Sequence, residues 1–306
     1  MLKIVKGKID RAQKVVIYGS EGIGKSTMAS QFPDPLFIDT EGGTSHMDVN
    51  RIDKPASWPE LLSIVQEVAK EDVCKTLVID TADWAEQLCT DYICQKYKQT
   101  SIESFGYGKG YTYLSEEFAR LLSACDDVVA SGKHVVITAH AKMRKFEQPD
   151  EMGAYDRWEM KLSRQVAPLL KEWCDMLLFM NYKTFVVQSE NKTTKAQGGK
   201  RVIYTSHHPC WDAKNRHGLP EEIEASFESI AHIFAGEPRK TTALDKVHEL
   251  MEQDQITEAE ICEVAVQRKK ANAAEKLSDL DPDLLTDWVI KYWAQIVKAV
   301  NENRVY

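Results

Sequence analysis

Short runs of β-branched and other apolar residues alternate along this chain with longer segments of helical periodicity. Strands are predicted at 15–18, 36–39, 76–80, 134–138 and 175–180. Helices are predicted at 26–31, 58–71, 84–97 and 113–131, and in 58–71 the apolar residues Leu61, Leu62, Val65 and Val68 have helical spacing. This alternation predicts an α/β fold with a mostly parallel central sheet, whose ligands bind at the carboxyl ends of the strands.

The later part of the chain changes character. Two further apolar runs, 184–188 and 201–206, flank Gly198-Gly199 and predict a hairpin that turns at the glycines. After Gly236 only helical patterns follow, at 243–253, 257–270 and 282–301, with a capping box at Thr257–Glu260 and an N-cap with proline at Asp281-Pro282. We therefore predict two domains, an α/β core at 1–235 and a small all-α domain at 236–306.

A phosphate-binding motif lies directly after the first predicted strand and before a predicted helix. Its sequence fits G-x-x-x-x-G-K-[ST], and the nucleotide-binding residues that it predicts are Gly19, Ser20, Glu21, Gly22, Ile23, Gly24, Lys25, Ser26 and Thr27. In such a loop the backbone N–H groups surround phosphate oxygens. Lys25 is expected to reach the β- and γ-phosphates, and the Ser26 hydroxyl is expected to hold Mg²⁺. The cofactors predicted are ATP and Mg²⁺.

Polar side chains at the strand ends supply candidate catalytic groups. Asp80 ends the third strand, where a carboxylate can hold Mg²⁺ through water. Asp39 and Glu41 end the second strand, which we expect beside the phosphate loop, and Glu41 is the candidate that activates the attacking water. His140 follows the fourth strand and is a candidate sensor of the γ-phosphate, with an ordinary structural role as the alternative.

Charge is distributed unevenly. The chain has a net charge of −8, yet residues 140–216 contain 14 Lys and Arg against 9 Asp and Glu. A long charged loop at 142–165 and the glycine-rich segment 106–110 are candidate contacts for single-stranded nucleic acid, or alternatively a mobile lid over the nucleotide. The residues concerned are Lys109, Lys142, Arg144, Lys145, Tyr155, Arg157, Trp158 and Lys161.

Lys214 and Arg216 form a separate cationic pair. They lie two residues apart, so on an extended segment they point the same way. We expect them to reach the nucleotide of a neighbouring subunit, as an arginine finger does, with plain surface charge as the alternative. No apolar run reaches the roughly 20 residues of a membrane span, no secretory signal is evident, and the scattered cysteines indicate a reducing cytoplasm.

These motifs together resemble a RecA-type ATPase. Glu41 matches the strand-end catalytic glutamate of that family, whereas most AAA+ proteins place the glutamate beside the Asp80 position, which is followed here by Thr81-Ala82. The segment from Lys214 to Gly218 is similar to the K-N-R-F-G motif of RadA, with His217 in place of Phe. The resemblance implies a RecA-like P-loop NTPase core at 1–235 that assembles as a homo-oligomer, in rings or filaments.

A closer resemblance is to phage-encoded RecA-like ATPases that act as single-strand annealing recombinases. It rests on segments 39–43, 107–111, 138–140 and 213–220. It implies ATP-dependent binding and annealing of single-stranded DNA, DNA-stimulated hydrolysis, cooperation with a single-strand-binding protein and a place in the host cell cytoplasm. Two alternatives stay open from the residues alone: another P-loop enzyme, such as a motor or a small-molecule kinase, and a binding module switched by nucleotide.

Overall fold

The chain divides into two compact units, Met1–Phe234 and Ala235–Tyr306, one residue before the boundary predicted from the sequence. The computed structural model describes residues 11–147, 153–188 and 194–234 of the first unit. In the second it describes residues 247, 250–251, 254–271, 277, 280 and 284–304. Each unit has its own hydrophobic core.

The first unit is built on one mixed sheet. Its strands are β1 Lys14–Gly19, β2 Pro35–Asp39, β3 Asn50–Ile52, β4 Thr76–Asp80, β5 His134–Glu147, β6 Ala154–Met160, β7 Met176–Gln188, β8 Thr194–Tyr204 and β9 Glu222–Glu224. The order is β3-β2-β4-β5-β1-β7-β8-β9, and β6 pairs with the far half of β5. The pairs from β3 to β7 are parallel, and only β6, β8 and β9 join antiparallel. The predicted α/β class with a mostly parallel sheet is confirmed.

Helices cover both faces of this sheet. They are α1 Lys25–Ala29, α2 Trp58–Lys70, α3 Ala82–Lys96, α4 Lys109–Ala130 and α5 Val166–Trp173. Successive residues of β1 alternate between two cores: Val16 and Tyr18 belong to the core under α2 to α5, whereas Val15 and Ile17 belong to the core under α1. A strand buried on both faces is expected to be apolar throughout, which explains the continuous run that the sequence shows.

Two sequence predictions about this unit are corrected. The second strand does not lie beside the phosphate loop, because β4 and β5 stand between β2 and β1. The segment 142–165 is not a long loop: β5 continues to Glu147 and pairs with β6 as a hairpin. The rings of Phe146 and Tyr155 pack across that hairpin in a tilted arrangement, 5.6 Å between centroids, so it has apolar packing that its high charge concealed.

A third correction concerns Gly198-Gly199, which lies within β8 and not at a turn. The register between β7 and β8 shifts at Lys183/Thr184, opposite these glycines, and Gly199 has a φ of +133°. A glycine inside a strand accommodates such a bulge because it has no Cβ to resist the unusual backbone angle.

The second unit is helical in its described residues. Helices α6 Glu258–Gln267 and α7 Trp293–Arg304 flank a π-helical stretch, Leu285–Ile290. The predicted capping box is confirmed, since the Thr257 and Glu260 side chains each accept from the other residue's backbone N–H. The predicted N-cap at 281–282 and most of the predicted helix at 243–253 lie outside the described residues. None of the helices that the structure describes has the length and apolar character needed to cross a membrane.

Candidate active site

A cavity of about 340 Å³ lies at the carboxyl ends of the parallel strands. It brings together predicted residues from four strand ends, and its lining consists of Glu21, Gly22, Gly24, Lys25, Ser26, Thr27, Glu41, Gly43, Asp80, Thr81 and His140. The other three predicted loop residues, Gly19, Ser20 and Ile23, do not line it. Ile23 is instead fully buried in the core under α1, which anchors the loop to the sheet.

The phosphate loop depends on glycine at three positions. Gly22 and Gly24 have φ angles of +70° and +106°, in the left-handed region that residues with a Cβ rarely adopt. A Cβ at Gly19 would lie 2.4 Å from the Met180 carbonyl oxygen of β7. The backbone is therefore held in one tight path, which suits a loop that surrounds phosphate oxygens.

Lys25 occupies the centre of this loop. Its side chain is buried, and its ammonium group donates to the carbonyl oxygens of Gly19 at 3.2 Å and Ser20 at 2.9 Å. Burial lowers the pKa of Lys25, while the nearby carboxylate of Asp80 acts in the opposite direction. A cation held at this point is placed to meet the negative charge of phosphate.

A hydroxyl and a carboxylate face each other next to Lys25. The Ser26 hydroxyl donates to one Asp80 oxygen at 2.6 Å, and the Thr138 hydroxyl donates to the other. Hydroxyl and carboxylate oxygens are ligands that Mg²⁺ accepts, with water completing its shell. The donor set therefore fits the predicted magnesium site, in which Ser26 coordinates directly and Asp80 through water.

A network of three side chains closes the far side of the cavity. Nδ1 of His140 lies 2.9 Å from an Asp83 oxygen, and Nε2 lies 3.9 Å from a Glu41 oxygen. Asp83 also accepts the His140 backbone N–H at 3.0 Å. Burial alone would raise the pKa of Asp83, but the hydrogen bonds from His140 outweigh it and lower that pKa. The arrangement links the candidate sensor His140 to the candidate catalytic Glu41.

Sequence reasoning overlooked Asp83, although a signal existed. It lies in the first turn of α3, three residues after Asp80, so it belongs to the same strand end.

The sequence analysis also treated Asp39 as a partner of Glu41. The Asp39 carboxylate instead accepts hydrogen bonds from the loop that follows it. It accepts from the backbone N–H groups of Gly42, Gly43 and Thr44 and from the Thr44 hydroxyl. Glu41 is thus the carboxylate of this pair that lines the cavity.

Two cations near the cavity also escaped the sequence analysis. Lys54 donates to the Glu41 carbonyl oxygen at 3.0 Å and lies over the Trp84 ring at 5.2 Å from its centroid. Arg201 of β8 donates to the Ile23 carbonyl oxygen at 3.2 Å. Both positions depend on contacts between distant segments, which local sequence patterns do not record.

Comparison with known proteins agrees with this geometry. A family model described as an AAA domain (AAA_24) matches residues 11–217, which is most of the first unit. This chain belongs to that family. The AAA domain carries the phosphate loop and the strand-end carboxylates described above, and it is a P-loop NTPase. Its residue next to Asp80 is Thr81, and its cavity is lined by Glu41 of the β2 end together with Glu21 of the phosphate loop.

Three proteins similar to the AAA domain have low sequence identity to it. The SPbeta prophage-derived uncharacterized protein YorG of Bacillus subtilis (strain 168) is 25% identical over 149 residues, which are 45% of this chain and 42% of that protein. The chain therefore matches less than half of that relative's length. Two solved structures are each 13% identical: flagellar accessory protein FlaH of Methanocaldococcus jannaschii and a KaiC-like protein of Pyrococcus horikoshii OT3. The match to FlaH covers 65% of this chain and 79% of FlaH, with a TM-score of 0.36. The match to the KaiC-like protein covers 69% of this chain and 84% of that protein, with a TM-score of 0.38.

Lys214 and Arg216 lie away from the cavity of their own AAA domain. Lys214 donates to the Lys171 carbonyl oxygen at 2.6 Å, and Arg216 pairs with Asp175 at 2.9 Å. Asp175 directly precedes β7, at the amino-terminal edge of the sheet, whereas the phosphate loop lies at the carboxyl edge. The Arg216 side chain is 59% exposed. Its action on a neighbouring subunit stays a prediction.

The predicted DNA-contact residues of the AAA domain fall into two groups, those whose side chains are paired or packed and those whose side chains are exposed. Arg157 pairs with Asp212 and is only 13% exposed, and Trp158 packs near Phe179 with its backbone N–H bonded to the Cys210 carbonyl. These two side chains and Tyr155 serve the packing of the hairpin. Lys142 donates to a carbonyl and Arg144 pairs with a glutamate. The remaining candidates are exposed: Lys109, Lys145 and Lys161.

Proposed function

We propose that this AAA domain protein hydrolyses ATP with Mg²⁺ and uses the nucleotide to control binding and annealing of single-stranded DNA. The observation that carries the proposal is the course of β5. This strand contributes His140 to the cavity and continues without interruption into the hairpin with β6. A change at the terminal phosphate can therefore be transmitted along one strand to an exposed, partly basic element.

The proposed hydrolysis assigns one role to each cavity side chain. Mg²⁺ supplies charge neutralisation at the phosphates when bound. Lys25 binds the β- and γ-phosphates, Ser26 and Asp80 hold the metal, and Glu41 orients and deprotonates the attacking water. His140, held by Asp83, contacts the γ-phosphate region and the Glu41 carboxylate together, so it reports whether that phosphate is present.

A second exposed element supports the DNA assignment. Tyr107 is fully exposed between Gly106 and Gly108, and its φ of +48° shows a tight loop conformation. Stacked rings of Tyr97 and Tyr113, 4.9 Å apart, support the base of this loop. A protruding aromatic ring beside a lysine is typical of surfaces on which bases of a single strand stack.

The loop and the cavity lie toward the same edge of the sheet. Helix α4 ends at Ala130, shortly before β5 starts at the amino-terminal edge. The helix has 22 residues and is about 33 Å long, so its first residue, Lys109, lies toward the carboxyl edge. Tyr107, Lys109 and the hairpin lysine Lys145 are proposed to form the DNA surface there.

The proposal also includes a homo-oligomeric assembly, a protein partner and a biological context. A homo-oligomer, ring or filament, would bring Lys214 and Arg216 of one subunit to the nucleotide of the next. A single-strand-binding protein is the proposed partner, and phage recombination or replication is the proposed context. The prophage origin of the YorG relative supports that context.

The test is fluorescence anisotropy with a labelled oligonucleotide, measured with ATP, with ADP and without nucleotide. We expect tighter binding with ATP. Tyr107→Ala should weaken binding about 10-fold, because one stacked base contributes about 1–3 kcal/mol. Lys109→Ala should reduce the salt dependence of log Kd by about 0.7. Lys70→Ala is the matched control, since Lys70 is exposed at the end of α2, at the opposite edge of the sheet.

The outcomes separate the parts of the proposal. Equal affinities in all three nucleotide states would reject the coupling between nucleotide and DNA. Equal losses in Lys109→Ala and Lys70→Ala would reject the assigned surface. Size-exclusion chromatography with and without ATP and oligonucleotide tests the assembly, and a monomer under every condition would reject the role of Lys214 and Arg216 in a neighbour's site.

A further inference from the structure

Arg201 is a cation that lies against the phosphate loop and has no role in the scheme above. Its Nη1 donates to the Ile23 carbonyl oxygen at 3.2 Å. The same atom lies 2.8 Å from the point that a Cβ on Gly24 would occupy. The absence of a side chain at Gly24 thus leaves the space that the guanidinium group fills.

Within the part of the chain that the structure describes, the charge of Arg201 is not matched by a carboxylate. Among the described residues no Asp or Glu lies within ion-pairing distance of it, whereas Arg11, Arg157 and Arg216 each pair with an aspartate. A guanidinium group has five N–H donors, and the neutral Ile23 carbonyl uses one of them. An unmatched guanidinium at a phosphate-binding loop is complementary to a polyanion.

The strand order gives the direction of the phosphate chain. β1, which carries the loop, lies between β5 on one side and β7 and β8 on the other. The water-activating side is the β5 side, with Glu41, Asp80 and His140. Hydrolysis requires the terminal phosphate on that side, so the phosphates nearer the nucleoside extend toward β8, where Arg201 lies.

We infer that Arg201 is an in-chain cation of the nucleotide site, and that it binds the α- or β-phosphate of a nucleoside di- or triphosphate. The inference rests on the proposed ATP hydrolysis and adds to it. Arg201 contacts phosphates that ATP and ADP share. It therefore sets the affinity for both nucleotides, while the γ-phosphate chemistry belongs to the residues on the other side of the loop.

The test uses three substitutions of Arg201 and one matched control. Arg201→Ala removes the charge and the hydrogen bond, Arg201→Gln keeps a donor for the Ile23 carbonyl without the charge, and Arg201→Lys keeps a charge. The control is Lys200→Ala, which removes a cation from the adjacent position of β8, where Lys200 is 68% exposed and 3.7 Å from Glu224. Calorimetric Kd values for ATP and ADP are measured between low and high salt.

We expect Arg201→Ala and Arg201→Gln to raise the Kd for ATP and for ADP by the same factor, roughly 10-fold, with a weaker salt dependence. The loss should appear in KM for ATP and not in kcat. Arg201→Lys should recover part of the affinity, and Lys200→Ala should match the wild type.

Three results would overturn the inference. The first is an unchanged Kd in Arg201→Gln, which would leave Arg201 as a support for the Ile23 carbonyl only. The second is a loss for ATP but not for ADP, which would place the group at the γ-phosphate. The third is an equal loss in Lys200→Ala. If the wild type itself binds neither nucleotide, the proposed function fails instead, and the two failures are distinguishable.

Discussion

The loop that carries Glu41 is held by one buried carboxylate, Asp39. One of its oxygens accepts from the N–H groups of Gly42 at 2.6 Å and Gly43 at 3.2 Å, and the other accepts from the N–H and hydroxyl of Thr44 at 2.8 and 2.6 Å. All four donors follow Glu41 in the chain within three residues. Replacing Asp39 by Asn therefore tests how far loop geometry controls the proposed catalytic carboxylate, Glu41.

The magnitude follows from this set of hydrogen bonds. In Asp39→Asn an NH₂ group replaces one oxygen and faces two donors, so two bonds are lost and the other two become neutral. Hydrogen bonds to a charged group contribute about 1.5–3 kcal/mol and neutral ones about 0.5–1.5 kcal/mol. At the low ends of these ranges the two lost bonds cost about 3 kcal/mol and the two neutralised bonds about 2 kcal/mol, so we expect the free energy of unfolding to fall by about 5 kcal/mol. A displaced Glu41 should lower kcat about 10- to 100-fold, while KM for ATP changes little because the phosphate loop does not use Asp39.

The assays are urea unfolding followed by tryptophan fluorescence and steady-state phosphate release. Thr44→Val is the graded control, since it removes the hydroxyl donor alone and should cost about 1.5–3 kcal/mol. The hydrogen bonds from Thr44, Gly42 and Gly43 outweigh burial and lower the pKa of Asp39. Its contribution is complete above the ordinary aspartate pKa and is lost as the pH falls through the lower folded-state pKa, so wild type and variant should converge in acid. Equal stability and kcat at neutral pH would refute the reasoning.

Three further substitutions address the cavity. Glu41→Gln should keep ATP affinity and lower kcat by about 10²- to 10⁴-fold, and unchanged phosphate release would remove Glu41 as the base. Asp83→Asn should lower single-turnover hydrolysis about 10-fold with an unchanged Kd for ATP, because the amide no longer fixes which His140 nitrogen carries the proton; an unaltered rate would contradict this. Thr138→Val leaves one Asp80 oxygen without its donor, so the Mg²⁺ concentration for half-maximal activity should change, and an identical Mg²⁺ titration would show that this hydroxyl has no effect.

Local patterns predicted the parts of the fold that depend on adjacent residues. The strand Thr76–Asp80 has the bounds that its apolar run indicated, and α2 starts at Trp58 as expected. The phosphate loop is likewise a continuous motif, so its glycines and Lys25 could be read directly. In each case the residues that determine the element are close together in the sequence, so they form a recognisable periodic pattern or motif.

Long-range pairing explains what the sequence did not reveal. No local feature states that β4 and β5 separate β2 from β1, since strand order results from packing among segments far apart in the chain. The same is true of Arg201, which meets Ile23 across 178 positions. Asp83 is different: its place in the first turn after the strand that ends at Asp80 made it accessible to sequence reasoning, and only its contact with His140 required the structure.

Charge content alone could not distinguish a DNA surface from a packed hairpin. Arg157 was a reasonable DNA candidate by type, yet its guanidinium is paired with Asp212, which also pairs with Lys171. A side chain in such a cluster would have to break half-buried ion pairs to reach a phosphate, and would leave the Asp212 carboxylate with one partner fewer. An exposed lysine such as Lys145 bears no such cost. Under the proposed DNA binding, phosphate contacts on this hairpin are therefore expected from its exposed lysines, while Arg157 ties the hairpin to Asp212.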